Sequence, residues 1–191
     1  MTAFALSVVL GVIIYSLPAT WSLASGPRPG VEDITLDEAV TSLGQSGVKG
    51  WDLIGEARLL VVERMEYSRR ISIDCYRKAF WRGYGYCQQQ AYALTEVLRQ
   101  LGFDAWPVHS EHNDFPEKKD TGHAWVQVIY EGEIQDIDPR FMDPGTGEMA
   151  FHPRTPASKY TVLFRIFSGW GCLAGNAYRY YRTGSDTSSD Y

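Results

Sequence analysis

Cysteine is scarce in this chain, basic charge is outnumbered, and the first 27 residues carry no charged side chain. Each shortage excludes something. The three cysteines, at 75, 87 and 172 of 191 residues, match no common zinc-site spacing. In an oxidising compartment an odd count leaves one thiol unpaired, and a Cys75–Cys172 bridge would leave Cys87 free. Eighteen Lys and Arg against 23 Asp and Glu give a formal charge of −5. That balance argues against nucleic acid as the main partner, because phosphate binding needs a basic footprint. No internal repeat is visible, and no motif demands a metal or an organic cofactor. With 45% hydrophobic and 14% aromatic residues, the chain is long enough for one well-packed domain and too short for two comfortable ones.

The charge-free beginning is informative in its own right. From Ala3 to Ala24 the chain is apolar nearly throughout, with Pro18 as an interruption and Ser22-Leu23-Ala24 offering small residues for a cleavage. Residues 1–24 therefore read as a signal peptide or a membrane anchor, the anchor being within the usual spanning length. The lack of Lys or Arg near Met1 leaves the two readings open. Either one places the protein outside the cytoplasm, secreted or tethered through residues 3–24. Residues 25–34, containing SGPRPG, read as a linker. Residues 35–182 are expected to form the folded domain. The tail, 183–191, has too little apolar surface to fold.

Within the domain, WRGYGYCQQQAYALTEVLRQLGF places a cysteine after a glycine-aromatic bend and ahead of a helical pattern. Ala91, Leu94, Val97, Leu98 and Leu101 recur at three- and four-residue steps as one buried stripe, and Gly102 supplies the stop. Cys87 then falls in the first helical turn, where unpaired N–H groups and the positive dipole end favour an anion. A thiolate is such an anion, and this setting makes sulfur nucleophilic.

Downstream, HAWVQVIY and EIQDID read as two strands joined by Glu131-Gly132. With a two-residue loop, Tyr130 pairs with Glu133 and Trp125 faces Asp138. His123 lies diagonal to Asp138 on the same face, roughly 7–8 Å apart at the Cα atoms and within side-chain reach. Asp136 shares the face two residues further away and ranks second. Cysteine, histidine and aspartate in this order, each at an element end, form a candidate catalytic triad in which the carboxylate orients the imidazole.

The stretches GYCQQQAYALTEVLRQLGFDAWPV, GHAWVQV and DIDPRF resemble the transglutaminase-like superfamily of cysteine acyltransferases and peptidases, over roughly Arg70 to Phe141. The resemblance implies a papain-like α+β fold, with N-terminal helices and the catalytic helix packed on an antiparallel sheet. It carries Cys87, His123 and Asp138 over as nucleophile, general base and acid, and histidine-orienting carboxylate. Gln127 stands where many members have glutamate, and Asp-Pro-Arg replaces the frequent Asp-Pro-Thr. These two departures leave substrate preference open. The implied partner is a protein or peptide substrate. An arylamine N-acetyltransferase-like enzyme, which shares the triad, and a non-catalytic surface binding domain on the same fold are the rival readings.

The remaining segments yield coarser expectations. Thr35 and Glu38 open a short helix with a capping box, ending near Gly44, and a second helix over about 52–65 buries Ile54, Ala57, Leu60 and Val61. Arg69, Arg70, Arg77, Lys78 and Arg82 precede the nucleophile and are read as mostly solvated, with a role at the site as the alternative. Phe103 to Val108 reads as a strand running into a polar loop, 109–122, that walls or covers the cleft. His109 and His112 in that loop are read as surface residues rather than metal ligands. Tyr160 to Phe167 looks like a further strand, and 169–181 like an additional packing segment. Gln88 is one candidate for a second oxyanion donor beside the Cys87 N–H.

Overall fold

The structure, a computed structural model, describes residues 7–12, 26–69, 72–116 and 121–183. Most of the expected leader and the tail from 184 onward lie outside those residues. Among the described residues no helix is long and apolar enough to cross a membrane.

The first helices form where local chemistry demands them. Helix α1, Leu36–Gly44, starts with the reciprocal cap between Thr35 and Glu38: the Thr35 N–H donates to Glu38 Oε2 at 2.7 Å and the Glu38 N–H to Thr35 Oγ1 at 3.3 Å. Helix α2, Gly50–Arg64, buries Ile54, Ala57 and Val61, while Leu60 is only partly covered. Arg64 ends it inside the protein. Its guanidinium donates to the carbonyls of Phe80, Ile34 and Trp81, each at 3.1 Å, so a buried charge is met by backbone acceptors from three segments. Strand β1, Glu66–Tyr67, pairs in parallel with β2, Tyr84–Gly85, and helix α3, Tyr76–Arg82, lies between them in sequence.

Helix α4, Cys87–Gln100, is the hub. Its C-terminal carbonyls are closed as foreseen: the Gly102 N–H donates to Arg99 and the Phe103 N–H to Leu98, both at 3.0 Å, with Gly102 at φ 93°. Ala91, Leu94, Val97 and Leu98 are fully buried. They face a sheet built from β3 (Asp104–Asp114), β4 (Thr121–Tyr130) and β5 (Glu133–Ile137), with β6 (His152–Pro153) and β7 (Ser158–Lys159) completing the β3 edge. All pairings in this sheet are antiparallel, and the order is β5-β4-β3-β6 with β7 also on β3. The architecture is α+β, as expected.

Strand β4 separates two apolar clusters by its two-residue period. Ala124, Val126 and Val128 join the main core with α4, whereas Trp125 joins Val108 and Phe151 on the other side. The β4–β5 hairpin has the expected register, Tyr130 opposite Glu133 through Val126 opposite Ile137. Its loop places Glu131 at φ 54° and Gly132 at φ 83°, the left-handed pair that a two-residue hairpin with native twist requires.

Three expectations need correction. Residues 109–114 are not loop: β3 continues through Asp114, with an irregularity between Ser110 and Asn113. Polar side chains concealed the strand because they serve its ladder. The Asn113 amide donates to the carbonyls of Ser110 at 3.1 Å and Thr121 at 2.8 Å, bridging the irregular stretch. Tyr160 to Phe167 is not a strand either. Helix α5 covers Val162–Thr183 and absorbs the expected packing segment. Val162, Phe164, Ile166 and Phe167 have strand propensity, but β7 already occupies that edge of β3, and Thr161 caps a helix by accepting from the Phe164 N–H at 3.2 Å. The inner face of α5 seats closely. A Cβ on Gly169 would meet the Ser72 carbonyl oxygen at 3.0 Å, and the Ser72 hydroxyl donates to the Gly169 carbonyl at 2.8 Å. Finally, Cys75 and Cys172 are not bridged. All three cysteines are free thiols, Cys75 exposed before α3 and Cys172 half-buried on α5.

Candidate active site

The start of α4 is fixed by the three glutamines that follow Cys87, all of them buried. Gln89 accepts from the Tyr86 N–H at 3.2 Å and donates to the Asp74 carbonyl at 2.9 Å. Gln90 donates to the Met65 carbonyl at 2.7 Å. Gln88 accepts from the Tyr86 hydroxyl and donates to the Arg165 carbonyl at 3.4 Å. These bonds lock the first helical turn against the end of α2, the turn before α3, and α5. Gln88 is therefore engaged on the α5 side, which corrects its candidacy as an oxyanion donor. No periodicity marks this role, since a glutamine run reads as solvent-facing until its partners are known.

On the sheet, His123 and Asp138 meet as the hairpin register requires. His123 Nε2 lies 2.5 Å from Asp138 Oδ2. The other carboxylate oxygen accepts from the N–H groups of Arg140 at 2.8 Å and Phe141 at 2.7 Å, so the aspartate cannot swing away without losing both. Asp136, the second-ranked carboxylate, accepts instead from the indole N–H of Trp125 at 2.7 Å. Trp125 in turn lies over the imidazole, ring centroids 6.4 Å apart. Asp136 thus acts on the histidine's neighbour rather than on the histidine.

An aromatic collar surrounds the imidazole. Phe115, Phe141 and Phe151 present edge-to-face contacts at centroid distances of 5.2, 5.4 and 5.0 Å. Of these, Phe141 could be suspected from its place in DIDPRF; the other two are distant in sequence. The collar leaves His123 only 9% exposed and Asp138 1% exposed. Burial acts against a charged imidazole, but the Asp138 carboxylate, with help from a hydrogen bond to Cys87, overrides it and raises His123 to about 10. Nε2 is taken by Asp138, which leaves Nδ1 as the other ring nitrogen. Asp138 thus holds His123, and His123 lines the same cavity as Cys87.

Cys87 and His123 open onto a cavity of about 260 Å³. Its other walls come from Tyr67, Arg69, His109, Tyr160, Phe164 and Cys172. Burial, reinforced by the charge of Cys87, pushes the Cys172 thiol up to about 12, so it stays neutral beside the first sulfur. His109 is not a surface residue. It is half-buried against Tyr160 and Phe164, at 4.7 and 4.1 Å between centroids, and desolvation lowers its pKa. The basic residues before α4 divide: Arg77 pairs with Asp37 and Glu96, and Lys78 and Arg82 pair with Asp74, whereas Arg69 lies at the cavity. Arg70 is outside the described residues. Among the described residues, no group of three His, Cys, Asp or Glu could hold a metal ion.

A helix-borne thiol, a strand-borne imidazole and a buried carboxylate, joined in sequence by one β-hairpin, coincide with a family match. The transglutaminase-like superfamily model matches residues 54–139, from within α2 to the residue after Asp138. Over that stretch, a little under half of its length, this chain is similar to the transglutaminase-like superfamily. No curated protein matches the sequence. Among solved structures, a crystal structure of a TGase is similar at 15% identity and a TM-score of 0.47, covering 66% of this chain and 34% of that one. A candidate cysteine protease from Cytophaga hutchinsonii is similar at the same identity and TM-score, covering 65% of this chain and 45% of that one. This chain thus spans about a third of the first protein's length and under half of the second's.

Proposed function

We propose that this protein is a cysteine-dependent acyltransferase or peptidase acting on protein or peptide amides, with Cys87 as nucleophile, His123 as proton carrier and Asp138 as the group that orients and charges it. The observation that carries this reading is the buried imidazole: Asp138 holds His123 Nε2 at 2.5 Å, and the same ring lines a cavity together with Cys87. In the first half-reaction the Cys87 thiolate attacks the carbonyl carbon and a C–S bond forms. The imidazolium then gives its proton to the departing amide nitrogen, the C–N bond breaks, and a thioester remains. In the second, water or a primary amine attacks the thioester, His123 takes its proton, and the C–S bond breaks. The Cys87 N–H, in the first turn of α4, is the donor placed for the oxyanion.

The same reading keeps the protein outside the cytoplasm, supported by the charge-free run from Ala3 to Ala24. Fractionation of cells expressing the full chain, with and without residues 1–24, tests that part. The chemistry is tested on a glutamine-containing peptide, with and without an added primary amine. Wild type should hydrolyse or cross-link it, and Cys87→Ala should do neither. Equal product from both proteins would remove the triad from the reaction.

A further inference from the structure

Helix α5 turns most of its larger apolar side chains outward. Its buried residues are Gly169, Leu173, Asn176 and Ala177, of which only Leu173 is large and apolar. Leu163, Phe167, Trp170, Ala174 and Tyr178 recur at steps of four, three, four and four, so they stack along one side of the helix. Leu163, Phe167 and Tyr178 are exposed, and Trp170 and Ala174 are half-buried. The patch continues past the helix. Ile73, on the turn before α3 and 53% exposed, borders a groove of about 410 Å³ together with Ile166 and Trp170. Exposed apolar surface of this extent marks a site of association with protein or membrane. Charge decides between them. In 22 residues α5 carries Arg165, Arg179 and Arg182 and no Asp or Glu, within a chain whose total is −5. Arg165 lies over the Tyr92 ring, and Arg179 and Arg182 stand toward the C-terminal end. Packing α5 on the α5 of a second copy would bring arginines together with no carboxylate on either helix to offset them. An anionic lipid surface supplies the missing charge, and Trp and Tyr rings suit the depth of its headgroups.

We propose that the outer face of α5 docks on an anionic lipid bilayer, lying in the plane of the interface rather than crossing it. Apolar and aromatic side chains along one face, with arginines beside them and no acidic residue, are the pattern of a helix that lies at an interface. The charge-free run at the start of the chain, where it is retained as an anchor, adds a second attachment, and two attachments hold where one is marginal. The same helix lines the cavity of Cys87 through Phe164, Ser168 and Cys172, so docking sets the cleft at the membrane surface.

The test reads α5 itself in the full chain. Vesicles of equimolar phosphatidylcholine and phosphatidylglycerol are prepared with brominated acyl chains, which quench an indole only where it reaches them. Part of the tryptophan quenching seen in wild type should be absent in Trp170→Phe. Trp21, in the charge-free run, is present in both proteins and cancels from the comparison. Leu163→Ser and Phe167→Ser should each weaken docking of the helix by about tenfold, so the double variant should lose the quenching that Trp170→Phe loses. Arg182→Gln should weaken docking by about fivefold on these vesicles and leave it unchanged on pure phosphatidylcholine. Equal quenching in wild type and Trp170→Phe overturns the proposal, whether the face stays bare or is covered by the chain's own apolar run. Self-association in vesicle-free buffer that the double serine variant abolishes, read by sedimentation, assigns the face to a second copy and overturns it as well. Cys87→Ala should dock as wild type does, so failure of the docking leaves the triad reading standing.

Discussion

On the inner wall of the cleft, His123 and Asp138 are almost wholly buried and both carboxylate oxygens of Asp138 are bonded. On the outer wall, the first turns of α5 leave Leu163 and Phe167 67% and 69% exposed. One wall is held by directed bonds between regular elements. The other is held by a close seat at Gly169, by bonds from Ser72 and Gln88 to two carbonyls of α5, and by apolar residues on one face only, Leu173 and Ala177. The difference implies that substitutions on the inner wall should change chemistry and pH response, whereas those on the outer wall should mostly change packing or nothing.

The largest effect is expected at Asp138. Asp138→Asn leaves the hairpin geometry but removes the charge that holds the proton on His123, and turnover on an amide substrate should fall by about 10³- to 10⁴-fold. Asp136→Asn, which loosens Trp125 without touching the imidazole, should cost about tenfold. Comparable losses in the two variants would erase the distinction between the carboxylates.

Next comes pH. His123 is raised from 6.5 to about 10 in the folded protein, so its pairing with Asp138 adds stability that is fully present below pH 6.5 and is lost as pH rises through about 10. The gap in urea midpoint between wild type and His123→Gln should therefore shrink steadily from pH 6 to pH 10.5. A constant gap would mean that the imidazole is not held charged. The collar can be probed by Phe151→Ala, where a 3% exposed ring against His123 and Trp125 is lost. Urea unfolding should show a loss of about 3 kcal/mol.

The same contrast explains what could be read in advance. The inner wall was legible because short-range rules decide it: three- and four-residue steps and a glycine stop fix α4, and a two-residue loop fixes the hairpin register and with it the meeting of His123 and Asp138. Even the preference for Asp138 over Asp136 as the partner of His123 follows from counting pairs. The outer wall was not legible because tertiary occupancy decides it. Val162 to Phe167 carry strand-forming side chains, and only the prior filling of the β3 edge by Ser158–Lys159 leaves them to a helix. Likewise His109 to Asp114 look like loop until Asn113 is seen bridging two carbonyls. The aromatic collar gathers Phe115, Phe141 and Phe151 from separate segments, and no local pattern announces that.

The smallest effect should come from the outer face of α5, and it is the sharpest check on the contrast. Phe167 is one helical turn beyond Leu163 and is 69% exposed, so replacing it by serine removes little buried surface and adds a hydroxyl that water can satisfy. Stability should move by no more than about 0.5 kcal/mol. Leu173, on the buried face of the same helix, is 2% exposed, and Leu173→Ala should cost about 2–4 kcal/mol because a cavity replaces packed methyl groups. The two substitutions share a helix and both shorten an apolar side chain, so propensity cannot account for a difference between them. If urea unfolding instead shows Phe167→Ser to be as damaging as Leu173→Ala, the outer face is buried in solution, and the outer wall is as fixed as the inner one.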